Sequence, residues 1–176
     1  YIILGLLTHE PLTGYDIKKL FKRQIGYFWS DLSFGQIYPI LAKFEKEGLA
    51  TKQVELHENG PPRKVYTITD KGRETFREWL RKPAAKEVIK YEALLKFYFG
   101  SQLPLEDNLK KLEEFRAQTI TRVQLMTRYE ENLRNVLEQD DDHLYFLLIV
   151  LLGKRWYQTQ AEWIDEAIQM LIERGK

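Results

Sequence analysis

No cysteine occurs anywhere in the chain, and histidine occurs only three times. The first absence rules out disulfides and thiolate metal sites and fits a reducing compartment, so a cytoplasmic protein is expected. The histidines, His9, His57 and His143, lie far apart with no partner at metal-ligand spacing, so no metal site is expected. Long apolar runs are missing too. The longest, LYFLLIVLL at Leu144–Leu152, has nine residues, against about 20 needed to cross a bilayer. No secretory signal is visible, and no membrane partner is expected. Glycine-rich phosphate loops and nucleophile motifs are absent, which argues against an enzyme and against a bound cofactor. Tandem repeats and low-complexity tracts are absent as well. Against these gaps stand 44% hydrophobic and 30% charged residues, enough for a packed core under a solvated surface.

The net charge is +1, but it is unevenly placed. Residues 1–82 carry 14 Lys and Arg against 10 Asp and Glu, whereas residues 83–176 carry 13 against 16. A basic front half and an acidic back half point to a polyanionic partner for the front only.

The chain opens at Tyr1 inside an apolar run, YIILGLL, so a first helix cut short at its start is expected. Pro11 disfavours helix at the residue before it. Thr13, with Asp16 three residues on, makes a near capping box, and Ile17, Leu20, Phe21 and Ile25 then recur at helical spacing as far as Gly26. Ser33 and Gln36 make a second capping box, and Gly48 is a stop signal. Between them Phe34, Ile37, Ile40, Leu41 and Phe44 fall on one stripe, with Gly35, Gln36, Pro39, Ala42, Lys43 and Lys46 opposite. Pro39 removes the bond to the Gly35 carbonyl and should kink the first turns. Residues 50–56 and 63–69 alternate like strands, and HENGPP between them reads as the turn of a hairpin. Thr69 or Asp70 then caps a fourth helix through Lys82, with Phe76 and Leu80 facing inward, ended by Pro83.

From Lys86 the sequence reads as helix throughout: 87–99, a break at GSQLP, a long helix over 106–138, and a last one over 144–174. Leu109, Leu112, Phe115, Ile120, Val123, Leu133 and Leu137 line the long helix. Asp140, Asp141 and Asp142 cluster between the last two, and an exposed helix cap explains them better than a metal site. Two helices some 45–50 Å long cannot bury their stripes within about 90 residues, so a second copy is expected to cover them. The expected fold class is mainly α. An N-terminal winged helix-turn-helix (α-α-α-β-β-α) over residues 1–82 precedes an all-helical, long-helix dimerisation domain over residues 86–176.

In a winged helix the third helix enters the major groove of double-stranded DNA and the hairpin tip reaches the neighbouring backbone or minor groove. Gln36 has the amide geometry to pair with adenine, and Lys43 can reach phosphate or guanine. Tyr38 on the flank either donates its hydroxyl to a phosphate or is half-buried filler. Pro61-Pro62-Arg63-Lys64 offers cations on a stiff support, which gives affinity through counterion release and no sequence choice. The plainer alternatives are solvated lysines and an ordinary turn. The protein-level alternative is a winged-helix scaffold that binds only other proteins.

The stretches LGLLTHEPLTGYDIKK, GQIYPILAKFEKEGLA and GPPRKVYTITDKGRE resemble the PadR family of bacterial transcriptional regulators. A tyrosine-proline inside the third helix and a glycine-tyrosine opening the second are specific together, and they account for Pro39. KFYFG and GKRWYQTQAEWIDEAIQML are similar to the helical C-terminal domain of the longer members. The resemblance implies a homodimer, a palindromic operator and usually repression, sometimes relieved by a small aromatic or hydrophobic effector. Carried onto this chain, it implies DNA contacts from Ser33, Gln36, Ile37, Tyr38, Lys43, Arg63 and Lys64. The stripe pattern places Ile37 in the core, so it is left out. Aromatics crowd the second half, mostly as core and interface. A candidate effector site combines Tyr98 of the KFYF helix with Arg155, Trp156 and Tyr157, a cation beside an aromatic wall.

Overall fold

The computed structural model describes residues 1–26, 33–57, 60–86 and 91–175. The chain divides into two units, Tyr1–Glu87 and Val88–Lys176. The first contains α1 (Ile2–Leu7), β1 (Leu12–Thr13), α2 (Gly14–Leu20), α3 (Phe34–Glu47), β2 (Ala50–His57), β3 (Gly60–Ile68) and α4 (Asp70–Leu80). This is the expected winged-helix order with one addition, the two-residue β1. Leu12 and Thr13 pair antiparallel with Tyr66 and Val65, so β3 becomes the middle strand of a sheet ordered β1-β3-β2.

Helices α2, α3 and α4 begin where the sequence places a cap. The Thr13 hydroxyl accepts from the Asp16 N–H at 3.2 Å, and the Asp16 carboxylate accepts from the Thr13 N–H at 3.1 Å. These reciprocal bonds satisfy donors that the start of α2 leaves open. A single π turn at Phe21–Ile25 carries α2 on to Gly26. The α3 helix ends at Gly48, whose φ of 70° is the left-handed conformation that glycine adopts without strain. Thr69 then ties α4 to that end: its hydroxyl donates to the Gly48 carbonyl at 2.7 Å and accepts from the Gly72 N–H at 3.1 Å. A side chain at Gly72 would collide with the Leu49 carbonyl oxygen, so glycine permits this approach.

The core of this unit joins α1, α2, α3 and the sheet through Ile3, Leu4, Leu7, Ile17, Ile37, Leu41, Phe44, Tyr66 and Ile68. Each fully buried aliphatic side chain contributes about 1.5–3 kcal/mol. The inward stripe of α3 is as expected, although the Phe34 side chain and the turn residues 58–59 lie outside the described residues. Two expectations fail. Leu80 does not face inward; it is exposed at the last turn of α4, on the side away from the core, while Phe76 packs on the core and Trp79 stacks on Tyr1. The prolines do not form the turn either. Strand β3 starts at Gly60, opposite His57, so Pro61 and Pro62 lie in the strand, beside the register irregularity between Glu55 and His57. Irregular and edge positions are where a missing N–H costs a sheet least.

The second unit contains α5 (Glu92–Tyr98), α6 (Leu105–Arg134) and α7 (Asp141–Arg174). The start expected for α5 at 87–90 lies outside the described residues. A short 3₁₀ turn, Gly100–Gln102, leads to Pro104, and the buried Asn108 amide closes it by donating to the Gly100 carbonyl at 2.8 Å. Asp140 caps α7 by accepting from the Asp142 N–H at 3.0 Å, so the carboxylate cluster is a helix cap. The long helices lie antiparallel along much of their length, with Leu112, Thr119, Met126, Leu147, Ala161 and Ile164 buried between them. Gly153 leaves room for Met126. Just beyond, Glu130 of α6 accepts from Lys154 of α7 at 2.8 Å, and that bond is the first cause holding its carboxyl below the usual range.

Candidate nucleic-acid interface

The two faces of α3 separate cleanly. Ile37 and Leu41 are 1% and 0% exposed, whereas Gly35, Gln36, Pro39, Ala42, Lys43 and Lys46 all face outward. Ser33 stands at the N-cap, and its backbone N–H donates to the Gln36 Oε1 at 2.9 Å. The amide oxygen of Gln36 therefore already serves the helix start. Bidentate pairing with adenine uses that same oxygen, so the side chain has to share it or leave the cap. Lys43 is exposed and 3.8 Å from Glu47 one turn on, a surface pair that holds it only weakly.

Tyr38 combines its two sequence readings. It is 48% exposed, yet its ring lies directly over Gly14 at the start of α2. A Cβ at Gly14 would stand 2.7 Å from the ring. Glycine at that position lets the tyrosine lie flat against α2 while its edge stays in solvent.

The wing cations diverge. Glu55 pairs with Arg63 and Val54 with Lys64 across the hairpin, and successive residues of a strand point to opposite faces. Lys64 is exposed; Arg63 turns back toward α2, 3.6 Å from the Asp16 carboxylate. Asp16 also accepts from the Thr13 hydroxyl at 2.6 Å, the first cause of its lowered pKa, with Arg63 and Lys19 adding to it. Sequence reasoning took Asp16 only as a cap residue. Its contact with Arg63 joins positions 47 apart in the chain, which no local pattern shows.

The candidate effector residues do not converge. Tyr98 is 81% exposed with its ring against Phe99, and Arg155 and Trp156 face outward from α7. Tyr157 turns the other way, under the Arg122 guanidinium at 5.4 Å from the ring centroid. A different set gathers nearby. Phe97 packs against Phe115 and Trp163, Tyr91 meets Phe115 edge-on, and the Tyr91 hydroxyl accepts from Gln160. Burial raises the Tyr91 pKa, the Gln160 bond and the Arg122 charge opposing it.

Two family models cover the chain: the Transcriptional regulator PadR-like family over residues 3–78 and Virulence activator alpha C-term over residues 89–171. The probable transcriptional regulator Rv1176c of Mycobacterium tuberculosis is 34% identical across 99% of this chain and 97% of its own length. The chain belongs to the PadR-like family of transcriptional regulators. The negative transcriptional regulator PadR of Bacillus subtilis is 41% identical over 108 residues, which span 61% of this chain and 59% of that protein. The structure of B. subtilis PadR in complex with operator DNA matches with a TM-score of 0.85 and 29% identity, covering 97% of this chain and 96% of that one. The same relative in complex with p-coumaric acid matches with a TM-score of 0.74 and 29% identity, covering 96% and 92%. No described helix is long and apolar enough to cross a membrane.

Proposed function

We propose that this PadR-like chain is a sequence-specific, dimeric repressor that binds double-stranded DNA. The observation that carries the reading is the outward face of α3. It has no acidic side chain at its centre, its small residues Gly35 and Ala42 let the axis approach a groove wall, and Gln36, Tyr38 and Lys43 supply donors. Ser33 at the cap and Arg63 and Lys64 in the wing flank it. The operator complex of the B. subtilis relative supports the assignment. A scaffold that binds only proteins has no use for this basic frame.

The dimer rests on α7. Tyr145, Ile149, Leu152, Trp156, Trp163 and Met170 recur at spacings of three, four and seven and are all exposed, a seam of the kind that pairs helices. A C₂ dimer would set two α3 helices into successive major grooves of a palindrome. Selection of a random duplex pool over several rounds tests this. A palindromic consensus supports a dimeric repressor, and no enrichment leaves the scaffold reading standing.

The relative's complex with p-coumaric acid favours an added layer in which an aromatic acid relieves binding. Here Arg122 stands beside the phenols of Tyr91 and Tyr157, a cation next to an aromatic wall. Release of the selected duplex on adding p-coumaric acid, lost in Arg122→Ala, supports this layer; equal release from both proteins removes Arg122 from it.

A further inference from the structure

The sheet face that closes the core of the first unit runs on past it. Lys52 and Tyr66 pair across β2 and β3, and Tyr66 is buried in the core. Side chains of a strand alternate, so Val54 and Leu56 follow Lys52 on that same face. There the face emerges into solvent: Val54 is 54% exposed and Leu56 83%. Among the described residues no large apolar side chain is barer than Leu56. The register slips opposite it. Pro61 and Pro62 fill the place between Gly60 and Arg63 where β2 has Leu56 alone. The bulge and the two fixed φ angles stiffen this end of the hairpin.

The overhanging face lies on the side of the proposed interface. Lys52 donates to Glu45 in the last turn of α3 at 2.7 Å, which sets the strand beside that helix. Lys64, opposite Val54, puts a cation on the same face, while Glu55 and Arg63 stand on the other. A helix reading a major groove leaves its wing at the adjoining minor groove. The floor of that groove differs between base pairs in one group. A G·C pair presents the exocyclic amino donor of guanine, and an A·T pair does not. An apolar side chain pressed on the floor would leave that donor with neither an acceptor nor water.

We infer that Leu56, with Val54 behind it, is an apolar minor-groove reader that selects A·T over G·C pairs flanking each half-site. The inference rests on the DNA-binding reading. It gives the wing a share in sequence choice, whereas the wing cations give affinity alone.

The test uses the full chain and its selected duplex, with diaminopurine replacing adenine at one flanking position at a time. This base pairs with thymine and keeps the major-groove pattern of adenine, but it adds an amino group in the minor groove. Titration by fluorescence anisotropy should show the parent binding about tenfold more weakly when the substitution lies under the wing. Leu56→Ser should bind the substituted and natural duplexes within about twofold of each other. An inosine·cytosine pair at the same position lacks the amino group, so the parent should bind it as well as it binds A·T. Leu80→Ser, which loses an exposed leucine at the last turn of α4, should discriminate as the parent does. A parent indifferent to diaminopurine at every flanking position overturns the inference, as does an equal penalty in Leu56→Ser. So does a flattened salt slope in Leu56→Ser, since the side chain carries no charge. A random pool that yields no bound duplex strikes the DNA-binding reading and the inference with it. Leu56 is exposed, so the thermal melt of its variant should match the parent.

Discussion

Arg63 in strand β3 stands 3.6 Å from Asp16, the residue that closes the capping box of α2. One carboxylate thus serves the start of a helix and the base of the wing together. Its charge is useful only while it is ionised. The Thr13 hydrogen bond lowers its pKa in the folded state, so the stabilisation is complete above about pH 4 and disappears as the pH falls through the lower, folded value.

Asp16→Asn keeps an acceptor for Thr13 and removes the charge. At neutral pH the variant should melt below the parent, by an amount in the range of a lost cap, about 0.5–2 kcal/mol. The gap should narrow as the pH falls below about 4 and on through the lowered folded-state value. Melting curves across that range decide it, and a gap independent of pH would mean that the charge contributes nothing.

Gln36 has two duties that different substitutions separate. Gln36→Ala loses the acceptor for the Ser33 N–H and the groove contact, so both melting temperature and affinity should fall. Gln36→Glu keeps an acceptor and adds a negative charge at the positive end of the helix, so stability should hold or rise. The same charge faces the groove, so affinity for the selected duplex should drop at least tenfold. Undiminished binding by the Glu variant would take Gln36 out of the interface.

Gly14→Ala sets a methyl group 2.7 Å from the Tyr38 ring, so the ring must swing away. The substitution should destabilise the parent by roughly 1 kcal/mol or more and cost far less in a Tyr38→Ala background. A double-mutant cycle of melting temperatures measures the coupling. Simple additivity would mean that the ring moves at no cost.

Leu148→Glu with Leu152→Glu places two charges on the exposed face of α7, where the parent residues are 54% and 68% exposed. Little of the monomer's core is disturbed, so helicity should persist while the dimer dissociates. Sedimentation at micromolar concentration reports the mass directly, and a surviving dimer would move the seam to other residues.

Much of this was legible because caps and periodicity are local. Thr13 with Asp16, Ser33 with Gln36, and Gly48 mark their ends within four residues, and the Ile37–Leu41–Phe44 stripe needs only a 100° period. Register is not local. Pro61 and Pro62 read as a turn because nothing in sequence shows that Gly60 pairs with His57. Leu80 reads as core because it stands four residues after Phe76, yet in the fold it is exposed. Trp156 and Tyr157 are neighbours in sequence, yet one faces outward while the other turns toward Arg122, a divergence that adjacency in sequence does not show.

Only Leu147, Ala161 and Ile164 are deeply buried along the 34 residues of α7. A helix so thinly covered by its own unit draws much of its stability from whatever lies on its other side, and a second copy supplies that in proportion to its concentration. Folding and assembly of this half then become one equilibrium. A cell making little of the regulator would hold more of it unpaired and open to proteolysis, and one making more would hold it longer. Abundance would thus set both how often an operator is occupied and how long each molecule lasts.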